Sequence, residues 1–576
     1  MKKLMLGNQA VAQGAYEAGI KVASAYPGTP STEITEFIAK TACPHVEWAP
    51  NEKVALETAI GSSMGGGRAV CAMKHVGLNV AADPLFTAAY TGVNAGLLIC
   101  VADDPGMHSS QNEQDTRNYA KAAKVICLEP SDSEECYAFT KAAFDLSEKF
   151  DLPVILRLST RVSHSQSLVE TGERVEVTKE YVKNPAKNVM MPAMAKRRHP
   201  VLEETLRSFS EFAASSPLNK VEYNDKKIGV ITSGISYQYA KEALGDKVSY
   251  LKLGTVYPVP DKLIKEFSEN VEKLYVIEEL DPFLEEHIKA MGINVIGKEA
   301  FTLIGEYNAA MIKKAVLGIE APEAVSIGEP VPMRPPVLCA GCPHRGTFFA
   351  LKSLGLRVTG DIGCYTLGTL EPLASIDASV CMGASIGLAH GMDKADPESH
   401  KKTVAVLGDS TFIHSGITGL INIVYNKGNS TVIILDNSIT GMTGHQDNPL
   451  TGKTIRGEAT KQVDLIKLCS SIGVPNIRVV DPFDLDAMKK TVSEEVAKDE
   501  PSVIIAQRPC ALLKSVHYTG KMTVTSDCVK CKMCLKIGCP AISFDGEKVN
   551  IDRTQCNGCG YCSQICKKHA LKKEEE

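Results

Sequence analysis

Residues 404–446, VAVLGDSTFIHSGITGLINIVYNKGNSTVIILDNSITGMTGHQ, leave little choice of fold. The apolar run at 404–407 reads as a buried strand and ends in the turn Gly408-Asp409-Ser410. An amphipathic helix follows through Ile417, Leu420, Ile421 and Val424, and Gly428-Asn429 stops it. A second apolar strand at 431–435 ends on Asp436-Asn437-Ser438. Strand, helix and parallel strand make a βαβ unit. Its two carboxyl ends, where open α/β sheets bind ligands, carry Asp409 and Asn437. That pair suits a hard divalent cation holding a diphosphate. Mg2+ takes about six oxygens, typically one or two carboxylates with ligand phosphates. Asp409 offers a carboxylate, Asn437 an amide oxygen and Ile439 a backbone carbonyl.

Upstream, short strands alternate with helices as far as about Arg161: strands at 22–26, 46–49, 69–73, 97–102, 124–128 and 154–157, with helices at 33–40 and 54–64. Such alternation predicts a parallel sheet covered on both faces. Periodicity fades between about Ser163 and Asp225, a connecting segment with one helix at 201–212. A second α/β domain follows to about Ile319, with strands at 228–232, 275–278 and 294–296, and the Pro-rich run 329–336 marks a boundary. The expected class is α/β and multidomain, with several doubly wound parallel sheets. The expected divisions are 1–165, 166–226, 227–328, 329–515 and a cysteine-rich tail, 520–576.

A chain of 576 residues, 44% hydrophobic and 23% charged, can bury several cores. Its net charge of −5 argues against a nucleic-acid partner, and Lys196-Arg197-Arg198 reads as solvated surface. No apolar run approaches the roughly 18 residues of a membrane span, and no hydrophobic stretch after Met1 marks an export signal. Cysteines in such a chain are reduced or metal-bound, and eight of the 19 crowd into 528–566.

The tail reads Cys528-x2-Cys531-x2-Cys534-x4-Cys539-Pro540, then Cys556-x2-Cys559-x2-Cys562-x3-Cys566. It resembles a bacterial two-cluster ferredoxin, in which the fourth cysteine of each run serves the other cluster. The resemblance implies one 4Fe-4S cluster on Cys528, Cys531, Cys534 and Cys566, and another on Cys539, Cys556, Cys559 and Cys562. The first run is one residue longer than usual before its last cysteine, and Lys567 stands where a proline usually follows Cys566. Neither departure removes a ligand. Zinc is the alternative use of Cys-x2-Cys pairs.

Further resemblances cover most of the remaining chain. Gly408-Asp409-Ser410 closing on Asn437 resembles the diphosphate motif of thiamine diphosphate (TPP) enzymes, with Ser410 in place of the usual second glycine. Tyr26-Pro27-Gly28-Thr29-Pro30, followed one strand later by Glu52, resembles the pyrimidine-binding domain of 2-oxoacid:ferredoxin oxidoreductases. There Glu52 would lie against the aminopyrimidine ring and Thr29 close to the substrate carboxylate. Without the resemblance, Glu52 is a first-turn glutamate favoured at a helix N-terminus. Cys339-Ala340-Gly341-Cys342-Pro343-His344-Arg345, then Gly363-Cys364-Tyr365, then Cys510 match catalytic subunits of that superfamily that bind a further cluster beside the coenzyme. The match implies a third, proximal 4Fe-4S cluster on Cys339, Cys342, Cys364 and Cys510. The alternative for Cys364 and Cys510 is a buried apolar cysteine.

Taken in order, these motifs resemble the alpha subunits of indolepyruvate:ferredoxin oxidoreductases. The resemblance implies oxidative decarboxylation of an aryl 2-oxoacid with coenzyme A to an arylacetyl-CoA and CO2, with electrons passing through the clusters to ferredoxin. Mg2+ and TPP would be held by Gly408, Asp409, Ser410, Asn437 and Ile439, with Cys364 and Tyr365 beside them. His344 would contact substrate or support a group that does. A small beta subunit carrying a further α/β domain and the cytoplasm of an anaerobe are implied as well. Two alternatives stay open: the same chemistry on pyruvate or branched-chain 2-oxoacids, and an electron carrier fused to a TPP fold that no longer reacts.

Overall fold

The computed structural model describes residues 2–320 and 327–574. The chain divides into two compact units, Met1–Ile327 and Gly328–Glu576.

In the first unit a seven-stranded sheet runs in the order Thr255–Tyr257, Ile126–Leu128, Val154–Ser159, Leu97–Asp103, Ala69–Lys74, Val22–Ala25, His45–Trp48. Every pairing is parallel except the first. Leu97–Asp103 and Val154–Ser159 are buried along their whole length, which is why they read as unbroken apolar runs rather than as alternation. A four-stranded sheet follows in the order Lys273–Ile277, Ile228–Ser233, Ser249–Leu253, Lys220–Glu222. The structure corrects the expectations here. Ser249–Leu253 carries a lysine in its centre and was not expected as a strand, and the strand expected at 294–296 is a single bridge from Ile296 to Tyr275. Thr255–Tyr257 leaves its own domain to pair with Ile126–Leu128.

The helix expected at 201–212 spans Pro192–Ala213. Pro192 is tolerated in its first turn, where an N–H has no partner to lose. Its buried residues, Leu202, Leu206, Phe209 and Ala213, form a stripe so narrow that the N-terminal half carries no apolar signal. Arg198, expected as solvated surface, is tied down: its Nε donates to Tyr90 O at 2.7 Å and its Nη2 pairs with Asp151 at 3.1 Å. A buried ion network joins the two sheets. Arg117 pairs with Asp115 and, at 2.6 Å, with Glu278, and Arg157 pairs with Asp103 at 2.7 Å and with Glu129.

The second unit holds a five-stranded, wholly parallel sheet in the order Arg357–Thr359, Thr403–Gly408, Thr431–Asp436, Ser502–Gln507, Asn476–Val480. Alternate residues feed separate cores. Val404 and Val406 join Phe348, Leu351 and Met488, whereas Ala405 and Leu407 join Ile386, Leu420 and Ile423. The turn expected at Gly408–Ser410 is already helical: Asp409–Thr411 opens a helix that widens into a π turn at Phe412–Gly416 before Ile417–Tyr425. The tail forms two antiparallel pairs, Lys521–Val524 with Leu571–Glu574 and Ile542–Phe544 with Val549–Ile551. Among the described residues no helix is long and apolar enough to cross a membrane.

Candidate functional site

Adjacent strands of the second unit bring the expected residues, and one that was not expected, to one carboxyl edge. Asp361 follows Arg357–Thr359, Asp409 follows Thr403–Gly408, Asn437 and Ile439 follow Thr431–Asp436, and Cys510 follows Ser502–Gln507. Asp409 is 2% exposed. Its Oδ1 accepts the Ser410 N–H at 2.7 Å, and its Oδ2 is buried without a partner. Burial, and then the neighbouring Asp436 carboxylate, push its acid well above the usual range. Asn437 and Ile439, at the end of the adjacent strand, are buried, and Thr440 donates to Ser410 Oγ at 3.0 Å, tying the two strand ends together.

Tyr365 lies flat against this turn. A Cβ on Gly408 would come within 2.7 Å of its Cε1, so only glycine lets the ring approach. Its hydroxyl donates to Ile362 O at 2.8 Å and meets Thr411 Oγ1 at 3.0 Å, and its ring meets the edge of His344 with centroids 5.9 Å apart. Burial holds the His344 imidazole down to about 4, so it is neutral at physiological pH. Its Nε2 can then accept from Asn437 Nδ2, 3.4 Å away. Asp361 was not singled out from the sequence. Its carboxylate accepts backbone N–H groups of Ile362, Gly383 and Ser385 at 2.8, 2.9 and 3.1 Å and so shapes the loop that presents Cys364 and Tyr365.

The cysteines of this unit form three groups. Burial, together with the Cys510 and Cys339 sulfurs, pushes the Cys364 thiol up to about 11; Cys342, pushed by burial up to about 12, feels Cys339 and Cys510 in turn. A Cβ on Gly441 would lie 3.3 Å from Cys364 Sγ, and the Cys510 N–H donates to Asn437 O at 2.9 Å, so this group adjoins the Asp409–Asn437 edge. Cys539, Cys556, Cys559 and Cys562 line one cavity. Cys528, Cys531, Cys534 and Cys566 line another. Backbone N–H groups of Met522 and Ala570 approach Cys556 and Cys566 Sγ at 3.4 and 3.3 Å, as suits sulfur carrying negative charge. Among the described residues no three His, Cys, Asp or Glu side chains converge closely enough to hold a single ion.

In the first unit, Thr29, Glu52 and Lys74 come from three neighbouring strand ends. Glu52 opens the helix Glu52–Met64 behind its cap Asn51 and is 5% exposed. A Cβ on Gly77 would lie 2.7 Å from its Oε1, so the carboxylate packs against that backbone. Thr29 O accepts from Ser109 Oγ at 3.0 Å, and Lys74 Nζ donates to Ser109 O at 2.9 Å with its stem laid across Gly28. Burial pushes the Lys74 ammonium down. Sequence reasoning missed Lys74, although a charge closing the apolar run Ala69–Met73 at a carboxyl edge was a usable signal.

Two family models match the sequence: a thiamine pyrophosphate enzyme C-terminal TPP-binding domain over residues 361–506, and a pyruvate flavodoxin/ferredoxin oxidoreductase thiamine diphosphate-binding domain over residues 13–224. The chain is 43% identical to indolepyruvate oxidoreductase subunit IorA of Archaeoglobus fulgidus, over 99% of this chain and 97% of that one. Identity to the subunits of the same name from Pyrococcus horikoshii and Methanothermobacter thermautotrophicus is 42% and 39%, each over 100% of this chain and 97% of the relative.

Proposed function

The chain belongs to the indolepyruvate oxidoreductase IorA family of TPP-dependent oxidoreductases, and from that membership we propose that it oxidatively decarboxylates an aryl 2-oxoacid with coenzyme A and passes the electrons to ferredoxin. The observation that carries the reading is the buried, unpartnered Asp409 Oδ2 at the sheet edge that also presents Asn437. A buried carboxylate without a partner is costly, and Mg2+ bound to a diphosphate answers it with the hard oxygen ligands it prefers. Asp409, Asn437 and the Ile439 carbonyl would hold the ion, and Gly408 and Ser410 the diphosphate. TPP, when bound, supplies the nucleophilic carbon and the electron sink that loss of CO2 from a 2-oxoacid requires.

The chain's own groups have definite tasks in this reading. Neutral His344 accepts from the Asn437 amide and leaves that side chain's oxygen for the cation. Glu52, buried at the start of its helix, would hydrogen-bond the aminopyrimidine ring and exchange a proton with it. Thr29 would meet the substrate carboxylate. Two cavities, each ringed by four sulfurs, suit 4Fe-4S clusters; a zinc ion needs its sulfurs about 2.3 Å from one point. Cys339, Cys342, Cys364 and Cys510 would hold the third cluster, beside the coenzyme. Because the relatives are named as subunits, we assign the missing α/β domain to a small beta subunit, with coenzyme A and ferredoxin as the other partners.

The test is anaerobic co-purification with the beta subunit, counting iron and acid-labile sulfide per alpha chain and following turnover of indolepyruvate, pyruvate and branched-chain 2-oxoacids. About twelve irons, falling to about eight in Cys339→Ala, with indolepyruvate the fastest substrate, is the expected result. About eight irons in both proteins would remove the third cluster. No turnover of any 2-oxoacid by TPP-loaded protein would remove the catalytic reading.

A further inference from the structure

Arg345 opens the helix His344–Leu354 and is 2% exposed. A cation is badly placed there, because the positive end of a helix favours anions. Its guanidinium meets only backbone carbonyls. Nε and Nη2 each donate to Cys339 O at 3.2 Å, Nη2 also to Leu338 O, and Nη1 to Ile537 O at 3.1 Å and to Gly538 O. Among the described residues no carboxylate pairs with it. Carbonyl dipoles satisfy its N–H groups but leave a full buried charge, which is costly to desolvate.

Two cysteine groups flank that charge. Its own loop carries Cys339 and Cys342, and on its other side it lines the cavity ringed by Cys539, Cys556, Cys559 and Cys562. The loops are locked together: Asn557 Nδ2 donates to Ala340 O at 3.0 Å, and the Tyr561 hydroxyl donates to Pro343 O at 3.2 Å. The remaining ring, Cys528, Cys531, Cys534 and Cys566, has exposed Lys532 and Lys568 in its lining, whose charge water and salt screen.

We propose that Arg345 is a fixed countercharge shared by the two inner cysteine groups, raising the reduction potentials of the clusters they hold relative to the outer one. The proposal rests on the cluster reading above. Each electron that enters a cluster adds one negative charge, with no bond made or broken. A buried, unscreened cation alongside therefore favours the reduced form. Arg345, whose N–H groups are taken up by backbone carbonyls, acts through the clusters and is a positioning residue for charge.

The test is a redox titration followed by electron paramagnetic resonance on the anaerobic complex, with iron counted in the same samples. Signals are assigned with Cys531→Ser, Cys559→Ser and Cys364→Ser variants. Arg345→Gln should keep its iron and shift the inner clusters at least tenfold toward the oxidised form at fixed potential, about 59 mV for a one-electron couple. The outer signal should stay in place, and Arg345→Lys should titrate like the parent. Loss of iron from Arg345→Gln alone, with parental potentials in Arg345→Lys, also supports the role of charge. Parental potentials in an iron-replete Arg345→Gln, an equal shift in Arg345→Lys, or loss of iron from both overturns the proposal in favour of a structural tie. Absence of cluster iron from the parent defeats the cluster reading itself, and the iron count alone reveals it.

Discussion

Asp409 carries, in one side chain, the demand of the whole edge. The fold buries its carboxylate, satisfies one oxygen and leaves the other without a partner. Asparagine has nearly the same shape and cannot ionise, so Asp409→Asn should leave the melting temperature of the coenzyme-free protein unchanged or raise it, because the stability lost to keeping a buried acid from ionising is recovered. The same variant should bind TPP with Mg2+ at least tenfold more weakly in calorimetry. A lowered melting temperature with normal coenzyme affinity would make Asp409 a structural residue. Asp409 and Asn437 were readable in advance because each follows an apolar run at the point where α/β sheets bind ligands. Asp361 was not: its acceptors' donors lie at Ile362, Gly383 and Ser385, and no local pattern announces bonds to residues so far along the chain.

Elements obeyed the same logic. Strands buried on both faces, such as Leu97–Asp103 and Thr431–Asp436, were plain as apolar runs. Ser249–Leu253 was hidden by Lys252, which is fully buried and paired with Glu135, so a core strand carries a charged residue that composition assigns to the surface. The second half of Pro192–Ala213 was legible as a helix, and its charged first half was not. The start of the helix at Asp409 could not be read either, since Gly408 is extended and looks like a turn until Tyr365 is seen packed on it. That contact makes a prediction. Gly408→Ala puts a methyl group into the Tyr365 ring, which must shift and carry with it the contacts to His344 and Ile362. TPP affinity should fall at least tenfold while the circular dichroism spectrum is retained. Unaltered affinity would show that the edge tolerates a displaced ring.

Across the first unit, the Arg117–Asp115–Glu278 and Arg157–Asp103–Glu129 network is what a pattern reading cannot supply, because its members come from every part of the unit. Beside it, burial pushes the Glu279 acid up to about 7 from its ordinary 4.5, while its Oε1 accepts the Tyr307 N–H at 2.8 Å. A carboxyl raised on folding favours the folded state while protonated, and that contribution is lost as pH rises through about 7. Glutamine accepts the same bond without ionising. Glu279→Gln should therefore melt like the parent near pH 5 and above it at pH 8, with a gain of up to about 3 kcal/mol at the alkaline end. Equal melting temperatures at pH 8 would mean that the network already holds Glu279 ionised.

One feature of the tail bears on how such a protein survives in air. Of its eight cysteines only Cys531 is exposed, while the ring of Cys539, Cys556, Cys559 and Cys562 lies behind Tyr561 and the Cys339 loop. Oxidative damage follows access, so rust begins at the outer ring. On the cluster assignment proposed above, a sample briefly exposed to oxygen would keep the centre on Cys539, Cys556, Cys559 and Cys562, yet have no terminal through which to discharge it.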